Sequence, residues 1–192
     1  MDTAGAGDPQ HAGVRRVVAS ALAVLAFGLN LAIASHFDEL KGFRQLDLFF
    51  NADASARVRC MVEGRCGGRS SFSHPNLALF VNPPVAAAAF VLGAARGLEP
   101  LDARRSVALA VSPLCSALEA PVVFYVLLGL GLALPQAAAL ALLSAVSFSQ
   151  LAFGSIPEAF ALSGLLLALA LWLALRGMRE RERRLWPWLL LG

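Results

Sequence analysis

Charge is what this 192-residue chain has least of: 15% of its residues are charged, against about 25% in an ordinary soluble domain. With 58% hydrophobic residues and a mean hydropathy of +0.66, it has too little polar surface to coat a water-soluble globule. Disorder is excluded as well, because it needs low hydrophobicity together with high net charge. Three cysteines are too few for a disulfide-built secreted miniprotein. No Walker-type phosphate loop or zinc-binding helix motif occurs, and the three scattered histidines form no convincing Ser–His–Asp series. No metal centre is expected, since two thiols and His74 are too few and poorly spaced. A net charge of +3 and a pI near 9.1 do not point to nucleic acid. The arginines sit beside apolar runs, where they set topology. What remains is an all-α, polytopic transmembrane helical bundle, with the lipid bilayer as its first partner.

A membrane helix needs about 20 mostly apolar residues. Five runs appear: 17–35, 77–95, 107–132, 136–153 and 159–175. A sixth begins at Leu185 and reaches only Gly192. A half-helix there would leave carbonyls unsatisfied in lipid, so the chain is expected to be the front part of a longer protein. The first run has a basic flank and an Ala32-Ile33-Ala34 end like a signal-peptide cleavage site, but its length and the runs that follow favour an uncleaved span.

Positive charge predicts the orientation. Arg15 and Arg16 put the N-terminus in the cytoplasm, and residues 176–184, with five Arg and two Glu, should join them there. Two cytoplasmic ends need an even number of crossings, so one run does not cross. The weakest is 77–95, which follows His74-Pro75-Asn76 and carries Pro83-Pro84, a step lacking two backbone donors. It is expected to lie in the outer interface or to dip into the protein. Residues 1–14 then form a polar cytoplasmic tail and 15–192 a membrane domain. Within that domain, 36–105 is a long outer loop with interfacial helices. The short turn Gly154-Ser155-Ile156-Pro157-Glu158 is expected on the same outer face.

Residues 36–72 hold six basic and five acidic residues, a balance that excludes a polybasic lipid-binding tail. Asp53 and Arg57 are four apart, so on a helix they share one face. They read either as a surface ion pair or as a carboxylate at the mouth of a membrane cavity beside an arginine for an anionic ligand. Cys60 and Cys66 can close a small loop disulfide if glycines break the helix between them, and cannot if it is continuous. Cys115, in an apolar run, reads as a core residue. Glu119 lies between Pro113 and Pro121, where it serves a function or stabilises a kink. Glu158 follows Pro157 at a helix start, where the helix dipole alone favours a carboxylate.

Together, Phe50-Asn51-Ala52-Asp53 with Arg57, Ser73-His74-Pro75-Asn76-Leu77, Arg104-Arg105 and Gly154-Ser155-Ile156-Pro157-Glu158 form a pattern. It resembles the polytopic GT-C glycosyltransferases that use lipid-linked sugars, among them the protein O-mannosyltransferases and the transferase that adds aminoarabinose to lipid A. The chain departs from that pattern in placing Ala54 after Asp53, where members show an acidic pair, and in having fewer spans. The resemblance implies a catalytic role for Asp53 and substrate-binding roles for Arg57, His74, Arg104 and Glu158. It implies a polyprenyl-phosphate sugar as donor, no further cofactor, and residence in a bacterial inner membrane. The competing expectation is a non-enzymatic membrane scaffold whose charged loop docks a partner.

Overall fold

The computed structural model describes residues 9–40, 60–63, 81–157 and 159–180. These residues are helical throughout apart from turns, and no strand occurs among them. The longer helices are α1 (Pro9–Glu39), α2 (Asn82–Arg96), α3 (Pro100–Gly129), α4 (Leu134–Ala145), α5 (Phe148–Ser155) and α6 (Ala159–Glu180). A short helical segment covers residues 60–63.

Local chemistry sets most of the boundaries. Prolines stand in the first turn of α2, α3 and α4, where a missing N–H costs nothing. The helix α2 stops at Gly97, which takes the left-handed conformation (φ 65°) that a side chain would resist. Ser147 starts α5 by accepting the Gln150 backbone N–H at 3.3 Å. Gln136 closes the start of α4 by accepting the Ala133 N–H at 3.2 Å.

Three helical stretches are long and apolar enough to cross a membrane: Ala12–Glu39, Pro100–Gly129 and Phe160–Met178. Helices α4 and α5 are bent by 55° and pass the same test only as a pair, either as a broken span or as a re-entrant loop. The chain is therefore an integral membrane protein. The 15 residues of α2 reach only about 22 Å, less than the hydrocarbon thickness of about 30 Å. The described part of run 77–95 is thus too short to cross by itself.

Packing follows an inside-out logic. The buried stripe of α1 is Ala19, Leu22, Ala26, Asn30 and Ala34, spaced three or four apart, while Val17, Val24 and Leu25 face outward. Ala137, Ala141 and Ala145 form the matching stripe of α4 and let it approach α1 and Phe124 of α3 closely. Helices α1 and α3 are antiparallel: Leu22 clusters with Phe124, and Asp38 pairs with Arg105. Helix α6 runs parallel to α3, with Cys115 against Ala161 and Leu165, and Gly129 beside Leu175. Arg15, Arg16 and Arg176 consequently share one end of the bundle, where Arg176 lies over the Trp172 ring. Asp38, Arg104 and Arg105 mark the other.

Candidate functional site at the clasped end of the bundle

Arg105 holds α1 to α3. Its Nε donates to Asp38 Oδ2 at 2.9 Å, and its Nη2 donates to Asp38 Oδ1. This side-on fork is the strongest geometry available to an arginine–carboxylate pair. Both side chains are largely withdrawn from solvent, at 26% and 16% exposure. One turn of chain therefore converts two helix ends, 67 residues apart in sequence, into one clasp.

Arg104, adjacent on α3, points elsewhere, because successive helical residues face directions about 100° apart. Its Nη1 donates to the Val62 carbonyl at 3.4 Å. Segment 60–63 is seated firmly there. Cys60 and Met61 are 3% and 2% exposed, and they cluster with Val81 and Val85 at the start of α2 and Ala108 of α3. Leu162 of α6 packs on the same cluster. Asn82 Nδ2 also lies 3.8 Å from Cys60 Sγ. Cys60 is disulfide-bonded, and Cys115 is a free, buried thiol.

Beneath the clasp lies a buried polar network. Asn30 is 0% exposed; its Nδ2 donates to the Ala26 carbonyl at 2.8 Å, and its Oδ1 accepts from Ser155 Oγ at 3.0 Å. Gln150 Nε2 donates to Ser116 Oγ at 3.3 Å and to Glu119 Oε2 at 3.0 Å. Asn30, Ser116 and Ser155 are buried and Gln150 and Glu119 half-buried, and each amide finds a partner where an unpaired one would be costly. Gly154 makes the approach possible. A Cβ at that position would stand 2.3 Å from Ser116 Oγ and 2.6 Å from Asn30 Oδ1.

This network sets the depth of the α5–α6 turn. Gly154, Ser155, Ile156 and Pro157 are all buried rather than displayed at the surface. Asn30, their partner, is eight residues before Asp38, which puts the turn about 12 Å below the clasp along α1. Ser116, eleven residues after Arg105, gives about 16 Å along α3. The turn is thus the sunken floor of the clasped end.

Of the residues singled out from sequence, Arg104 is at this end, tied to segment 60–63. Asp53, Arg57, Cys66, His74 and Glu158 lie outside the described residues. Asp38, Asn30 and Gln150 were not singled out, and Ser155 was named only as part of the turn 154–158. Asn30 carried a readable signal, because a carboxamide inside an apolar run needs a partner helix. Asp38 carried none, since an acid just after a span looks like any loop acid. Among the described residues, no group of three or more His, Cys, Asp or Glu could hold a metal ion. Comparison with protein families, with curated proteins and with solved structures finds no match to this chain.

Proposed function

We propose that this chain belongs to a membrane glycosyltransferase that moves a sugar from a polyprenyl-phosphate donor to an acceptor hydroxyl. In this reading the Arg15, Arg16 and Arg176 end is cytoplasmic and the clasped end faces outward from a bacterial inner membrane. One observation carries the reading: Cys60 and Met61 are buried against α2, α3 and α6, and the neighbouring Val62 carbonyl accepts from Arg104. That anchor lies three residues after Arg57 and seven after Asp53 in the chain. It ties the loop that holds the candidate base to the helix end that holds two arginines.

The chemistry follows from the charges involved. Asp53 accepts the acceptor's hydroxyl proton as its oxygen attacks the anomeric carbon. The bond from that carbon to the phosphate oxygen breaks, and negative charge grows on the departing polyprenyl phosphate. Arg57, His74 and Arg104 stabilise that charge, where a preformed cation is most effective. Glu158 binds the substrate. The apolar helices accommodate the polyprenyl tail.

The test is transfer from radiolabelled polyprenyl-phosphate mannose or aminoarabinose in membranes carrying the protein. Asp53→Asn should lower transfer by about 10²-fold or more while leaving the amount of protein in the membrane near normal. Asp47→Asn should match the parent. Equal transfer by Asp53→Asn and the parent would remove Asp53 from catalysis.

A further inference from the structure

A second feature at the clasped end lies on the outside of the bundle. Between α2 and the start of α3 runs an open groove with a cavity volume of about 430 Å³. Ala86, Ala89, Gly93 and Ala94 form its small-residue bed, Phe90 one wall, and Arg104 its charged end. Phe90 is 80% exposed, so the wall stands out from the protein rather than packing inward. Helix α2 makes its principal helix contact with α3, which leaves the groove on the perimeter.

The groove has the orientation of a lipid. Val85, near the start of α2, packs beside Ala108 of α3, and Gly93 near its end meets Ala103. The helix therefore rises antiparallel to α3, from within the membrane toward the clasped end. Ala86 to Ala94 cover about 12 Å of helix axis, comparable with the roughly 15 Å of hydrocarbon in one leaflet. Arg104 lies at the headgroup end. Its partner there is the neutral Val62 carbonyl, and no carboxylate among the described residues pairs with it. Arg105, by contrast, is neutralised by Asp38.

We propose that this groove is a binding site for one anionic phospholipid of the leaflet on the clasped side, with an acyl chain along the α2 bed and its phosphate on Arg104. An apolar furrow that ends in a cation held only by a neutral carbonyl among the described residues matches a molecule with one apolar chain and one anionic head. This occupant and the donor phosphate of the transferase reading compete for Arg104, so the two proposals are told apart by which of them the groove retains.

Native mass spectrometry of the purified protein, released from detergent with either phosphatidylglycerol or phosphatidylcholine, tests this. The parent should retain one phosphatidylglycerol and at least tenfold less phosphatidylcholine. Arg104→Gln should lose that selectivity. Ala94→Phe should lose the lipid while leaving Arg104 and its Val62 contact in place, which covers the case in which Arg104→Gln fails to fold. Arg16→Gln, at the opposite end, should behave as the parent. Equal retention of the two lipids by the parent, or full retention by Ala94→Phe, would overturn the proposal. Displacement of phosphatidylglycerol by equimolar polyprenyl phosphate would also overturn it, because the groove would then be a donor site.

Discussion

Replacing Gly154 with alanine adds one methyl group at the point where α1, α3 and α5 come closest. Favourable contacts between non-bonded carbons lie at about 3.5–4.0 Å. The new Cβ would meet Ser116 Oγ at 2.3 Å, Asn30 Oδ1 at 2.6 Å and Asn30 Cγ at 2.9 Å. Neither neighbour can swing away freely. Ser116 Oγ accepts from Gln150, and the Asn30 carboxamide is held at both ends, by Ala26 and Ser155. Overpacking of this kind costs about 1–3 kcal/mol. If α5 moves out to relieve it, the Asn30–Ser155 and Gln150–Ser116 bonds are lost, at about 0.6 kcal/mol each in a membrane protein. The helical gain of alanine over glycine returns about 0.5–1 kcal/mol. The net expectation is a loss of about 1–2 kcal/mol.

Gly28→Ala is the matched control. It lies in a helix with nothing within 4 Å of its would-be Cβ, so the same substitution should stabilise slightly. Reversible unfolding by sodium dodecyl sulfate in mixed micelles reads both. Adding Ser116→Ala to Gly154→Ala removes the nearest clash and should restore part of the loss, with Asn30 still in the way. Gly154→Ala as stable as Gly28→Ala would refute the close approach, and with it the sunken turn.

Two further outcomes are expected beside the tests of Asp53 and of the α2–α3 groove. Asp38→Asn cannot accept both Arg105 donors as an anion, and should destabilise by about 1–2 kcal/mol, with the exchanged pair Asp38→Arg/Arg105→Asp recovering most of it in the same unfolding assay. Cys60 should resist alkylation until reductant is added, whereas Cys115, a free buried thiol, should be indifferent to reductant and react only on unfolding; mass spectrometry of the alkylated peptides separates the two, and free native reactivity of Cys60 would contradict its disulfide.

The all-α class and the run of apolar segments were legible in the sequence, because partition into a bilayer depends on about 20 consecutive residues and little else. The same local logic makes 77–95 the weakest of the runs, since Pro83-Pro84 and a short apolar stretch are visible without any partner. Charge at 15–16 and 176–184 predicted an even number of crossings, and α1, α3, the bent α4–α5 pair and α6 supply four candidate spans. The bend itself was not legible, for no proline stands between Ala145 and Phe148. Tertiary structure decided what the polar residues do. Asn30 and Ser155 are 125 residues apart, and only packing of α1 against α5 makes them partners. Their bond sinks the α5–α6 turn into the bundle, although the sequence Gly-Ser-Ile-Pro-Glu reads as a surface loop. Likewise Arg104 and Arg105 are equivalent in sequence. The helix rotates them apart, so that one is spent on Asp38 while the other faces the α2 groove, because only the fold brings a carboxylate to one of them.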